Sequence, residues 1–174
     1  NDILKLSQLD EGGLNYHREY VDLFELSNTV ADRLKTTADS AGVAIEVIGE
    51  PVKVFGVYNV LEEIVYNLCD NSLKYNKRGG KVSVSVGRDA NRAYVSVADT
   101  GIGIPEEALP RVFERFYRVD KSHSREIGGT GLGLAIAKKV ILLHQGQIKV
   151  TSDYKGTVFS ITLPIRQKEM QVNE

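Results

Sequence analysis

Four polar residues in one stretch, Glu63, Asn67, Asn71 and Lys74, are separated by four, four and three positions. At about 100° per residue they form a single helical stripe roughly 80° wide. Asn is a poor helix former, so a stripe of one carboxylate, two amides and one amine is an unusual solvent face. Amide oxygens suit a hard cation such as Mg²⁺, with phosphate oxygens and waters filling the octahedron. A lysine on the same stripe can meet phosphate as a point charge. The alternative reading is a solvated helix face.

Two further segments point the same way. Asp99-Thr100-Gly101-Ile102-Gly103 directly follows a Val-rich run. A carboxylate at a strand end can accept a hydrogen bond from the amino group of a base, and the glycines let backbone approach a ligand closely. Alone, the same residues also make an ordinary turn. Gly128-Gly129-Thr130-Gly131-Leu132-Gly133 opens a helical pattern. Free N–H groups at the positive end of a helix bind anions. It is not a dinucleotide fingerprint, since Leu134 stands where the third glycine is needed, and no Gly-Lys-Ser/Thr follows it. A flexible hinge is the alternative.

The surrounding pattern must position these segments. Ile3, Leu4, Leu6 and Leu9 have helical spacing, and Glu11-Gly12-Gly13 ends that helix. An extended piece over 16–20 leads to Asp22, the N-cap of a helix running to about Ser40. Extended runs follow at 43–48 and 52–55, then the helix carrying the polar stripe, 58–76, with Leu61, Ile64, Val65 and Leu68 facing a core. Runs 81–86 and 93–98 make a hairpin around Arg88–Asn91. The glycine-rich, charged stretch 99–130 has a helical look only over 106–116, and loops of that size within a domain are usually functional or disordered. A helix over 132–144 and a last hairpin, 147–151 with 157–163, complete the pattern. Interleaved helices and hairpins predict an α/β fold, a two-layer sandwich of a mixed sheet packed on helices.

Composition bounds the rest. The 174 residues suffice for one domain with a real core, 42% being hydrophobic and 26% charged. A net charge of −1, with no acidic-to-basic gradient along the chain, argues against nucleic acid. Cys69 is the single cysteine, which rules out an internal disulfide and suits a reducing, cytosolic compartment. No apolar run reaches the ~20 residues that span a bilayer, so no direct membrane contact is expected. The chain starts without Met within a helical pattern and reads as an excised piece of a larger protein.

The order of the three segments resembles the Bergerat-type ATP-binding fold shared by type II topoisomerases, Hsp90 chaperones, histidine kinases and MutL-type ATPases. Residues Glu63 to Asn76 are similar to the N box of the histidine kinases, Asp99 to Pro105 to their first glycine box, Phe113 to Arg118 to their F box, and Gly129 to Ile136 to their second glycine box. The resemblance runs from about residue 20 to Pro164. Leu4 to Gly12 also resembles the end of the dimerisation helix that precedes this domain. The division expected is therefore 1–13 helix remnant and linker, 14–166 catalytic domain, 167–174 polar tail.

The resemblance implies ATP and Mg²⁺ as ligands. Asp99 would bond the adenine amino group and Tyr75 would lie against the base. Asn67 would ligate the metal, while Asn71 and Lys74 would touch phosphates. Glu63 would be the general base or the group orienting the attacking imidazole. Gly101, Gly103, Gly129, Gly131 and Gly133 would shape the pocket, flanked by Thr130 and Leu132, with 104–130, from Ile104 on, as an ATP lid whose Arg118 and Arg125 approach the γ-phosphate. Phe113, Phe116 and Tyr117 would anchor that lid. The partners implied are the parent protein's own dimerisation domain, which carries the acceptor histidine, and a response regulator. The parent would be an inner- or plasma-membrane sensor with this domain on the cytoplasmic side.

Departures from the family pattern are Ser72, where a small apolar residue is usual, and His144-Gln145-Gly146 in place of His-Gly-Gly. None of His17, His123 and His144 has the context of a family phosphoacceptor, and loop or cap roles are expected of them. A topoisomerase- or Hsp90-type ATPase, an anti-sigma-factor serine kinase and a non-catalytic nucleotide sensor are the competing readings. The F box and the helix remnant disfavour the first two, and the intact boxes disfavour the third.

Overall fold

The computed structural model describes residues 17–118 and 133–165. Strand β1 (Glu19–Asp22) pairs antiparallel with β3 (Lys53–Gly56) in a small two-stranded sheet. Between them lie helix α1 (Leu23–Ala41) and strand β2 (Ala44–Gly49). Helix α2 (Tyr58–Lys74) follows, then β4 (Lys81–Asp89), β5 (Arg92–Asp99), a 3-10 turn (Glu106–Arg111), α3 (Gly133–Leu143), β6 (Gln147–Asp153) and β7 (Gly156–Pro164). The main sheet has the order β2-β4-β5-β7-β6, with β2 parallel to β4 and every other pair antiparallel. The expected mixed-sheet sandwich is present, helices packed against the sheet.

Local sequence explains these elements. The Asp22 carboxylate accepts from Phe24 N–H at 2.9 Å and Glu25 N–H at 3.1 Å, satisfying two of α1's free donors. Such a cap contributes about 1 kcal/mol. Gly42 ends α1 with φ 70, the left-handed turn that glycine adopts without strain. Leu26, Val30 and Leu34 recur at helical spacing and are fully buried. On α2 the buried set is Leu61, Ile64, Val65, Leu68, Cys69, Ser72 and Leu73, so one flank of that helix is core and the polar stripe is left at its edge. Each buried Leu or Ile contributes roughly 1.5–3 kcal/mol. The sheet alternates as a half-covered sheet should: Val82, Val84, Val86, Val95, Val97, Phe159 and Ile161 are buried, while Ser83, Ser85 and Ser96 lie between them half-exposed.

Boundaries differ from the sequence reading where turns are tighter than composition suggests. β4 and β5 continue to Asp89 and Arg92, leaving a two-residue turn with Ala90 at φ 54. The 106–116 segment keeps only its first part as a 3-10 turn, since Pro110 cannot donate within an α-helix. Residue 1–16 features, the remnant helix included, and the 166–174 tail lie outside the described residues.

Ser72 fits the core by size alone. Among the described residues its buried hydroxyl has no hydrogen-bond partner, which is the cost of replacing a small apolar residue there. Cys69 is also buried, and burial pushes its thiol up to about 12, so it is inert packing rather than a nucleophile.

Candidate nucleotide site

The end of α2 and the end of β5 are stitched together by backbone. Ile102 N–H donates to Tyr75 O at 3.2 Å, and a Cβ on Gly101 would lie 2.4 Å from that same carbonyl. Thr100 Oγ1 donates to Asn76 Oδ1 at 3.2 Å and accepts from Lys81 N–H at 2.9 Å. Tyr75, Asp99 and Gly101 are thereby brought to one place, where the amide stripe of α2 ends.

Asp99 is half-buried at the last position of β5. Its Oδ1 accepts from Gly101 N–H at 2.9 Å and from Thr157 N–H at 3.1 Å. Among the described residues Oδ2 has no hydrogen-bond partner, so one oxygen fixes the carboxylate and the other is available. The start of β7 can come this close only because a Cβ on Gly156 would lie 1.9 Å from Asp99 O, and Gly156 has φ 146.

Glu63, Asn67 and Asn71 are half-buried along α2, and Lys74 is exposed. Lys74 Nζ pairs with Asp70 Oδ2 at 2.9 Å, so its ammonium is directed along the helix in this state. Neighbouring Glu62 is held by Arg33 at 2.7 Å, and Arg33 also lies over the Tyr66 ring, 4.4 Å from its centre. Gly103 takes φ 78 against Asp153 O, and Ile104 N–H donates to Ser152 Oγ at 2.7 Å. Among the described residues nothing lies within 4 Å of a Cβ on Gly133, so packing does not demand a glycine there. Arg118 is half-buried. Arg125, Gly129, Thr130, Gly131 and Leu132 lie outside the described residues.

The three aromatics of 113–118 divide. Phe113 anchors the segment, meeting Phe159 edge-on at 6.2 Å with Lys138 Nζ 5.6 Å from its ring centre. The Arg111 guanidinium lies over the Tyr117 ring, 4.5 Å from its centre. Phe116 is 62% exposed among the described residues and takes the uncommon left-handed φ of 63, so no described part of the core receives it.

His144 has the cap role expected of it, with an unexpected partner. Its Nε2 accepts from Val57 N–H at 3.2 Å, supplying the N-terminal cap that the Val57 side chain cannot give α2. Nδ1 lies 2.8 Å from Val140 O, so the neutral ring carries its proton on Nδ1. Gly56 leaves room for the ring, since a Cβ there would sit 2.7 Å from it. Gln145, which stands where the His-Gly-Gly pattern has glycine, takes a left-handed turn with φ 62, a conformation that favours glycine. Burial lowers the His144 pKa below the ordinary 6.5, opposed by the Val140 carbonyl and assisted by Arg18. With the folded value below the unfolded one, the unfolded state binds the extra proton between them, so stability rises with pH through that window and is complete above about 6.5. Denaturant unfolding should therefore show a loss on going from pH 7.5 to 5.5 that is smaller in His144→Gln. A His144 ring titrating at or above 6.5 by NMR would contradict this.

Thr157, Ser152 and Gly156 were not singled out by sequence, because Gly156-Thr157 reads as the exit of a hairpin turn. Only the pairing of β5 with β7, Ala98 opposite Val158, places them beside Asp99. Among the described residues no three His, Cys, Asp or Glu side chains cluster as a metal site, and no helix is long and apolar enough to cross a membrane.

A family model described as histidine kinase-, DNA gyrase B-, and HSP90-like ATPase matches residues 56–167. The chain is 36% identical over 173 residues to the sensor histidine kinase WalK of Bacillus subtilis, covering 97% of this chain and 28% of WalK. It therefore spans under a third of that relative's length. Its fold matches the mycobacterial sensor histidine kinase MprB with a TM-score of 0.75 at 33% identity, covering 85% of this chain and 97% of that one. It matches full-length ShkA in complex with AMPPNP with a TM-score of 0.83 at 27% identity, covering 94% and 34%. The chain belongs to the histidine kinase-, DNA gyrase B- and HSP90-like ATPase family, as an ATP-binding catalytic domain of the sensor histidine kinase type.

Proposed function

We propose that this domain binds Mg²⁺-ATP and passes its γ-phosphate to a histidine on a dimerisation domain outside this chain. The observation that carries the reading is Asp99: one carboxylate oxygen is fixed by two backbone N–H groups and the other is open among the described residues, beside Tyr75 at the end of the amide stripe. An open carboxylate oxygen accepts from the adenine amino group, whereas guanine presents a carbonyl there. Asn67 and Asn71 offer amide oxygens one helical turn apart, which suits Mg²⁺ because that ion keeps waters and takes much of its shell from phosphate. The bound cation would supply charge neutralisation on the transferring phosphoryl group. Lys74 would exchange Asp70 for phosphate, and Glu63 would receive or orient the attacking imidazole. Arg118, with Arg125, would reach the γ-phosphate. Gly133, which no described residue crowds, would serve close approach of the helix N-terminus to phosphate, alongside Gly129, Thr130, Gly131 and Leu132. The domain's contribution is positioning and electrostatics rather than covalent chemistry.

In the parent protein the acceptor domain would be joined through residues 1–13 in a homodimer, and a response regulator would take the phosphoryl group onward. That parent would be a membrane sensor with this domain on its cytoplasmic side. Calorimetric titration tests the base assignment. ATP should bind more tightly than GTP by roughly fivefold to a hundredfold, the worth of one buried hydrogen bond. Asp99→Asn should weaken ATP binding and narrow that preference. Equal affinities for the two nucleotides would remove Asp99 from the account.

A further inference from the structure

Ser152 sits on β6 opposite Thr157 of β7, and its hydroxyl is the meeting point of three separate segments. Ile104 N–H donates to Ser152 Oγ at 2.7 Å. Thr157 Oγ1 lies 2.8 Å from it and Gly156 O lies 3.1 Å from it. A serine hydroxyl has one proton and two lone pairs. With the Ile104 N–H accepted, the proton goes to Gly156 O while Thr157 donates in, or goes to Thr157 itself. In the first arrangement all three capacities of the oxygen are used.

The contacts on either side of Ser152 lead to the base site. Thr157 is 5% exposed, and its N–H is one of the two donors that fix Asp99 Oδ1. Gly101, two positions beyond Asp99, is the other donor, and Ile104 is only three residues further on. The Asp99-to-Ile104 segment is thus tied down at both ends by one strand pair: at Asp99 by Thr157 and at Ile104 by Ser152, with Gly103 tucked against Asp153 O between them. Neither tie touches the ligand-facing Oδ2. No other hydroxyl among the described residues bridges these two ties.

We infer that Ser152 is a positioning residue for adenine-nucleotide binding, acting through Thr157 and Ile104 to hold the Asp99 carboxylate and the glycine segment in one arrangement. The inference rests on the reading of Asp99 as the adenine acceptor. A hydroxyl at 152 fixes where the second carboxylate oxygen points; without it Thr157 and Ile104 each lose a partner, and the carboxylate samples orientations that no longer meet the base.

A thermodynamic cycle on the 174-residue chain tests this, reading ADP affinity by calorimetry for Ser152→Ala, Ser152→Thr, Asp99→Asn and the Ser152→Ala/Asp99→Asn double variant. Ser152→Ala should weaken binding about fivefold to tenfold, the net effect of losing one such bond. Ser152→Thr, which keeps the hydroxyl on a strand that accepts β-branching, should bind within about twofold of the unsubstituted chain. The double variant should bind no more weakly than Asp99→Asn alone, because residues acting through one another are not additive. A merely structural serine would give additive losses, and that result overturns the inference. So does near-normal binding by Ser152→Ala beside a clear loss in Asp99→Asn, an outcome that leaves the Asp99 reading standing. If neither substitution changes ADP binding, the Asp99 reading itself fails. Should Ser152→Ala not fold, Ser152→Cys keeps the size while weakening every bond and takes its place in the cycle.

Discussion

Asn67→Ala should reduce phosphotransfer at least about a hundredfold while leaving the fold intact. If Asn67 ligates Mg²⁺ as proposed, its loss would withdraw several kcal/mol of transition-state stabilisation, and 1.36 kcal/mol is already tenfold in rate. The fold should survive because Asn67 is half-buried on the polar edge of α2, away from Leu61, Ile64 and Leu68 that tie the helix to the core. Alanine is also the better helix former, so the melting temperature should stay level or rise slightly. The measurement pairs a transfer assay with thermal melting. Full transfer by the variant, or loss of folding, would make the amide stripe a structural feature.

Gly101→Ala should cost both stability and nucleotide affinity. The added Cβ would stand 2.4 Å from Tyr75 O, a backbone atom that cannot rotate away. Relief requires separating the end of α2 from the Asp99 segment, which breaks the Ile102-to-Tyr75 bond and disturbs the Gly101 N–H on Asp99 Oδ1. Overpacking of this kind costs about 1–3 kcal/mol in folding, and ATP should bind roughly tenfold to a hundredfold more weakly. Gly133→Ala is the contrast: with nothing near its Cβ among the described residues, it should leave stability unchanged. Denaturant midpoints that do not separate the two variants would show that the Gly101 contact is not a constraint.

What the sequence showed was what local chemistry controls. Asp22 caps α1 because a short carboxylate before an apolar-periodic run has one favourable use, and the alternating Val residues of β4 and β5 could only be a half-buried hairpin. The amide stripe was legible because helical periodicity places residues three and four apart together. The missing parts are those decided by contacts between distant residues. Thr157 reaches Asp99 across 58 positions, and His144 caps α2 across 87. Neither pairing leaves a mark on the residues beside it in sequence. Phe116 differs from Phe113 for a related reason: both are aromatic and close in sequence, but only Phe113 meets a partner on a distant strand among the described residues, Phe159. Local reading also overestimated turn lengths, since nothing in Arg88 to Asn91 says that the strands run on until only Ala90 and Asn91 are left.

On the proposed function, this chain would donate a phosphoryl group that it cannot itself accept. His144 is fully buried with both ring nitrogens engaged, and neither His17-Arg18 nor His123-Ser124 has the sequence context of a family phosphoacceptor. The direct test incubates the chain with γ-labelled ATP and Mg²⁺, with and without a separate dimerisation domain of the sensor kinase type carrying its own helix-borne histidine. The account predicts no label on the chain alone and acid-labile label on the added domain. That label should be weak, because covalent linkage normally supplies a high effective concentration. Acid-labile label on the isolated chain, lost in His123→Ala, would contradict it, as would ATP binding without transfer to any acceptor domain.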